Sequence, residues 1–253
     1  MLRKAEALHK YTLRATDGEI GKVKDFYFDD QFWTVRYLIA DTGNWLEQKL
    51  VLISPYALVS VDDEREIIAT NLTRKQIENS PFADADKPVS RQFEALYHEY
   101  YQWQGYWYGS LAWEADPYPA PVREKISQDE QASWDSHLRS VREVEGYGVG
   151  AGGGDIGHIA EFVIDDKDWA IRYLVVDTRN WWPGKHVLIS PQWIERVSWD
   201  DRKVYVDLAR DAIKDAPEYP RASVITREYE TELFLHYIRE GYWTSGNSVA
   251  DPA

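Results

Sequence analysis

The side chains that could do chemistry in this chain come in pairs. Two adjacent carboxylates, Asp29 and Asp30, recur as Asp165 and Asp166, and Asp41-Thr42 recurs as Asp177-Thr178. Neighbouring carboxylates serve acid–base catalysis when burial or a close like charge pushes one of them off its ordinary pKa. Both pairs stand between β-prone runs, where Asp is favoured because its side chain accepts hydrogen bonds from turn N–H groups. They are therefore expected at solvated hairpin tips. The stretch GVGAGG (Gly148–Gly153) has Gly-x-Gly-x-x-Gly spacing. A dinucleotide site needs those glycines between a strand and a helix; here a β-prone run follows, so a flexible loop is expected. The histidines are His9, His98, His137, His158, His186 and His236. None forms an i, i+4 pair and none recurs at a matched position, so no metal site is expected, since zinc takes three or four ligands. The chain has no Cys, which excludes disulfides, thiolate catalysis and Cys-ligated clusters. With no nucleophile–base set in view, no catalytic residue and no cofactor is assigned, and a non-enzyme is expected.

These groups recur because the chain does. A shift of 136 positions lays GEIGKVKDFYFDD (Gly18–Asp30) on GDIGHIAEFVIDD (Gly154–Asp166), VRYLIADT on IRYLVVDT, and DTGNWLEQKLVLISP on DTRNWWPGKHVLISP. Arg91 falls on Arg227, and the GYW of 105–107 on that of 241–243. An ungapped match of this length marks two related units. The boundaries expected are a first unit over 1–107, a Pro-containing linker over 108–140, a second unit over 141–243 and a disordered tail over 244–253.

Totals narrow the partners. The formal charge is −14 over 253 residues, which repels phosphate backbones and argues against nucleic acid as a partner. No stretch approaches the length of a membrane span, and MLRKAEALHK lacks the apolar core of a secretory leader; a cytoplasmic location is expected. Aromatic residues make up 14%, with 12 Trp and 17 Tyr, a supply suited to small β-rich cores and to interfaces.

Each unit reads as short strands followed by two helices. Val23–Phe28 and Trp33–Ala40 flank an Asp-rich tetrad, a hairpin signal. A turn centred between Asp30 and Gln31 puts Asp25 opposite Arg36, and Glu161 opposite Arg172 in the second unit. These acid–Arg pairs are expected to set register rather than to catalyse. QKLVLISP, ALVSVD and REIIAT complete five or six strands. TRKQIENSP has the Thr…Gln spacing of a capping box. SRQFEALYHEYYQWQG places Phe93, Tyr97 and Tyr101 in an i, i+4 row, with Gly105 as the stop; Tyr229, Leu233 and Tyr237 repeat the row, with Gly241 as the stop.

The pattern GEIGKVKDFYFDD…VRYLIAD…KLVLISP resembles the PRC-barrel family, known as the β-barrel module of the photosynthetic reaction-centre H subunit and of the ribosome maturation factor's C-terminal half. Gly18, Gly21, Val23, Asp25, the Asp-rich turn, Arg36 and the LIS-P strand carry the match. In the second unit Gly154, Gly157, Ile159, Glu161, Arg172 and LIS-P do so. The helices 73–79 and 90–104 and the linker lie outside it. The resemblance implies a small six-stranded barrel acting as an assembly or binding module, and it brings no active-site residues. The fold expected is thus mainly β with appended helices: two tandem PRC-barrel-like barrels, each followed by a short helix and a longer aromatic one.

The aromatic rows cannot stay in water without a cost of about 25 cal/mol per Å². Each row has its own barrel as the first surface to cover and the other unit as the second; Phe93, Tyr97, Tyr101 and Trp107, with Tyr229, Leu233, Tyr237 and Trp243, are expected to bind the units together as an intrachain pseudo-dimer, with a homo-oligomer left open. Trp45, Trp181 and Trp182 either plug the barrel ends or meet the other unit or a partner. The function expected is a noncatalytic module binding another protein or a membrane-associated complex. The alternative is a small-molecule or ion sensor using the cleft between units; an enzyme with its site there is the weaker third.

Overall fold

The computed structural model describes residues 1–43, 46, 49–84, 89–108, 137–178, 184–220 and 223–244. The first unit runs β1 (Leu2–Lys4), α1 (Ala5–Leu8), β2 (Thr12–Ala15), β3 (Gly18–Asp29), β4 (Thr34–Asp41), β5 (Lys49–Ile53), β6 (Leu58–Asp62), β7 (Ile67–Thr70), α2 (Arg74–Glu78), β8 (Ala83–Asp84) and α3 (Arg91–Tyr101). The second runs β9 (Leu138–Ser140), α4 (Val141–Val144), β10 (Gly148–Ala151), β11 (Gly154–Asp165), β12 (Ile171–Asp177), β13 (His186–Ile189), β14 (Ile194–Ser198), β15 (Lys203–Val206), α5 (Arg210–Asp215) and α6 (Arg227–His236). Apart from β8 the two lists match element for element.

The hydrogen-bonded orders are β6-β7-β2-β3-β4-β5-β8 and β14-β15-β10-β11-β12-β13. Neither path closes, so among the described strands the expected closed barrels are not formed by strand pairing. The corner after the LIS-P strand explains why. Pro55 has no N–H to donate, and Ser54 Oγ accepts the Tyr56 N–H, starting a 3-10 turn over Pro55–Ala57. The chain bends away instead of returning as a hairpin. Ser190 and Pro191 repeat the corner. Gly21 and Gly157 are explained by a close approach: a Cβ on either would lie 2.0 Å from the carbonyl oxygen of Asp41 or Asp177.

The central hairpins depart from the expected register. Trp33 and Trp169 take left-handed backbones (φ 51° and 58°), so the return strands start beyond them, at Thr34 and, in the second copy, Ile171. A bulge then leaves Arg36 without a cross-strand partner, because Phe28 pairs Val35 while Tyr27 pairs Tyr37. Asp25 stands opposite Ile39, not Arg36, and Glu161 opposite Val175, not Arg172. The extra residue of a bulge re-aims its side chain, which frees both arginines for another role.

Further corrections concern boundaries. GVGA forms strand β10, paired with β11 and β15, where a loop was expected. Residues 138–140, assigned to the linker, form β9. The capping box at Thr73–Gln76 is present as expected. α3 stops at a left-handed Gln102, ahead of Gly105, and α6 stops at Tyr237, ahead of Gly241. Most of the expected linker and all but the first residue of the expected tail lie outside the described residues. No helix among the described residues is long and apolar enough to cross a membrane.

Candidate functional site

The two units are joined by exchange of their first strands. β1 pairs with β11 of the second unit, and β9 pairs with β3 of the first. The joint is reciprocal at single-atom level. Val35 N–H donates to Trp169 O (2.9 Å) and Ile171 N–H to Trp33 O (2.8 Å), with a Thr34–Ala170 bridge between them. Phe28 stacks on Trp33 and meets Phe162 across the seam. One buried apolar cluster therefore includes side chains of both units.

Polar groups follow the same symmetry. Arg139 donates to Asp30 and Arg3 to Asp166, each across the seam. Asp25 accepts from Ser140 Oγ and, at 3.3 Å, from the Arg142 N–H. Glu161 accepts from the Glu6 N–H at 3.3 Å, the matched position. Asp25 and Glu161 thus cap the short helix that the other unit contributes. Burial raises both carboxyls, Glu161 to about 7 against the opposing Phe162 and Glu6 N–H groups. The hairpin acids are not solvated tips: Asp29, Asp30, Asp165 and Asp166 are all largely covered.

A second pair of clusters lies where each aromatic helix meets its own sheet. In the first, Glu94 accepts from Tyr106 Oη (2.5 Å) and Tyr37 Oη (3.1 Å) and pairs with Arg91 at 3.0 Å. Arg36 and Arg91 stack on Tyr106 at 4.1 and 5.0 Å. In the second, Glu230 accepts from Tyr242 Oη (2.8 Å) and Tyr173 Oη (2.6 Å) and pairs with Arg227 at 3.0 Å. Arg172 and Arg227 stack on Tyr242 at 4.1 and 5.3 Å. The recurring GYW now has a reason. A Cβ on Gly105 or Gly241 would fall 2.5 or 2.4 Å from the indole two residues on, so only glycine lets Trp107 or Trp243 fold back and present the tyrosine to the glutamate.

The clusters differ at two matched positions. His98 in the first is Phe234 in the second. His98 is buried, with Nδ1 3.2 Å from Gln104 O and Nε2 3.0 Å from Tyr37 Oη. A carbonyl only accepts, so Nδ1 carries the proton and Nε2 accepts. The single Tyr37 proton then faces two acceptors, Glu94 and His98. A protonated Glu94 resolves the conflict by donating to Tyr37. Burial pushes Glu94 up to about 7, against Arg91 and the two hydroxyls, and pushes His98 down to about 4. The other difference is Phe32, matched by Asp168.

The residues expected to join the units do another job. Tyr97 packs with Tyr37, Ile39, Leu52 and Val89, with Phe93 and Tyr101 at the edge, and donates to Leu52 O at 2.8 Å. Trp107 lies over Arg91 and His98. Leu233 is buried, Tyr237 packs on Trp193, and Tyr229 donates to Pro217 O. Trp243 lies under Arg227. Each row therefore covers its own sheet, because burying it there needs no second unit. Trp45, Trp181 and Trp182 lie outside the described residues. Trp33 with Trp169, Phe162 with its match Phe26, and the paired tyrosines and glutamates had one sequence signal, identity at the 136-residue offset; Phe28, matched by Ile164, had none.

Among the described residues there is no group of three or more His, Cys, Asp or Glu that could hold a metal ion. A cavity of about 490 Å³ lies in the first unit, lined by Asn71, Gln76, Tyr100, Gln102 and Trp103, away from the seam.

Comparison with known proteins gives a family and one relative. The family model described as PRC-barrel domain matches residues 12–76 and 139–213, more than half of the chain. An uncharacterised protein of Deinococcus radiodurans is 38% identical over 71 residues. That match spans 28% of this chain and 25% of the relative's length.

Proposed function

The chain belongs to the PRC-barrel domain family, and from that premise we propose that it is a noncatalytic scaffold which offers two fused units to a protein partner. The strand exchange is the observation that carries this reading. A chain that locks its halves by β1 on β11 and β9 on β3 gains a rigid platform. It spends its buried charges on internal pairs rather than on an open site. A cleft sensor would need space between the units, and Phe28, Trp33, Phe162 and Trp169 fill the seam.

The partner surface is placed at the end of α6. Leu235 is 71% exposed and Ile238 92% exposed, where the first unit has Glu99 and Gln102. Ile238 also holds φ at 53°, a backbone that a β-branched residue rarely takes. Exposed apolar side chains replacing polar ones on one copy favour a contact surface. The test is capture from the native source on immobilised full chain, followed by titration of the purified partner. Saturable binding by the wild type and its loss in Leu235→Glu/Ile238→Glu, with unchanged thermal stability, is the expected outcome. Equal binding by both proteins would remove the surface from the proposal, and no saturable partner would remove the scaffold role.

A further inference from the structure

The cavity of the first unit lies where an ion pair crosses the second. The frame is the same in both. α3 and α6 end on matched left-handed residues, Gln102 (φ 59°) and Ile238 (φ 53°). The next N–H turns back to the helix, Trp103 to His98 O and Arg239 to Phe234 O, both at 2.9 Å. Asn71 N–H donates to Ala57 O and Asp207 N–H to Trp193 O, both at 2.8 Å. Each helix also reaches the matched carbonyl: Tyr100 Oη donates to Gln76 O (2.9 Å), and His236 Nε2 lies 2.7 Å from Ala212 O. On this frame Arg239 Nη2 bonds both the backbone O and Oδ2 of Asp207 at 3.0 Å, tying the end of α6 to the segment after β15. The first unit has Trp103 and Asn71 at those places. Trp103 lies flat on Tyr101, with centroids 4.5 Å apart and planes 12° apart. It covers the tyrosine whose match, Tyr237, is covered by Trp193, where the first unit has Ala57. The two walls are left unjoined, and the space of about 490 Å³ stands between them.

Three carboxamides line the space, Asn71, Gln76 and Gln102, where the second unit has Asp207, Ala212 and Ile238. No ionised side chain lines it, so a charged guest would lose water without gaining a counter-charge. Amides both donate and accept. Gln76 is pre-set: its Oε1 accepts from Thr73 N–H at 2.8 Å and from Thr73 Oγ1 at 2.9 Å, which leaves its NH₂ to donate. Tyr100 has given its proton to Gln76 O, so its oxygen is left to accept. Tyr101 and Trp103 each turn a ring face to the other, which leaves less face for a flat aromatic guest. The guest these walls suit carries no charge, is not flat, and both donates and accepts at several points. A saturated ring bearing hydroxyls meets all three conditions. We infer that the cavity is a binding site for a neutral sugar; its volume falls within the range of about 300–1,000 Å³ usual for small-molecule sites. The site goes beyond the scaffold reading and holds whether or not the α6 surface binds a partner.

The test uses the full chain, ¹⁵N-labelled, with the side-chain amide signals of Asn71, Gln76 and Gln102 assigned from Asn71→Asp, Gln76→Glu and Gln102→Glu. Glucose, galactose and N-acetylglucosamine are titrated separately, with glucuronate as the charged control and adenine as the flat one. Saturable shifts of these signals with at least one neutral sugar, weaker or absent with both controls, are expected. Asn71→Ala/Gln102→Ala removes two exposed amides, leaves Tyr101 and Trp103 in place, and is expected to weaken sugar binding about tenfold at unchanged Tm. Asn71→Asp/Trp103→Arg, which copies the ion pair of the second unit, is expected to abolish the response. No saturable shift with any of the sugars, wild-type affinity in either double variant, or a response to glucuronate or adenine as strong as that to the sugar would overturn the proposal.

Discussion

Glu94 shows how one side chain sets a pH dependence in the fold. Its carboxyl rises to about 7 through burial, above the ordinary Glu value of about 4.3. The folded state then holds a proton that the unfolded chain releases earlier. Its contribution to stability is complete below the unfolded value and is lost as pH rises through 7. His98, held near 4 by burial, acts with the opposite sign: its contribution is present above about 6.5 and is lost as pH falls through 4. Glu94→Gln is expected to remove the first slope, so that the variant gains on the wild type by on the order of 3 kcal/mol between pH 4.5 and 7.5. Urea unfolding across that range checks it. A variant that tracks the wild type at every pH would mean that Glu94 stays ionised. The cluster was only half legible in the sequence. Arg91, Arg227 and GYW recur visibly, but nothing local says that a glycine folds an indole back to aim a tyrosine at a glutamate three residues beyond the arginine.

At the scale of elements, the short pieces at the start of each unit matter more than their length suggests. A three-residue strand and a four-residue helix are not stable alone. They persist because β1–α1 and β9–α4 lie on the opposite unit's long strand and are capped there by Glu161 and Asp25. Asp25→Ala leaves the buried Phe26 N–H and the Arg142 N–H unpaired and is expected to cost about 1–3 kcal/mol. Glu161→Ala acts on Phe162 and Glu6 in the same way. Denaturant midpoints measure both. If Asp25→Ala unfolds at the wild-type midpoint, the caps are ornamental. The LIS-P strand, the capping box and the hairpins could be read from alternation and turn residues. The hairpin register could not, since a bulge is set by what the twisted strand packs against rather than by the turn sequence.

At the scale of the molecule, two matched units of one chain hold each other through their first strands. The exchange is an isologous contact in which each half supplies what the other lacks. An isolated first unit, residues 1–108, keeps β1 but loses β9, and it exposes Phe28 and Trp33. It is expected to pair with a second copy, β1 of each taking the place of β9 on the other's β3. Sedimentation over a range of concentrations reports this as a homodimer whose dissociation accompanies unfolding. A folded, stable monomer at all concentrations would contradict the exchange as the source of cohesion.

The sequence alone determined the family pattern, the two-unit division, the β-rich character and the presence of two helices after each set of strands. Those features rest on spacing, which a chain carries in one dimension. The structure decided that the aromatic helices serve their own sheets, that the seam belongs to Phe28, Trp33, Phe162 and Trp169, and that Arg36 and Arg172 leave the strand register. Each of these depends on which of several equally apolar surfaces comes to lie nearest. Burial is non-directional, so geometry among distant segments makes that choice.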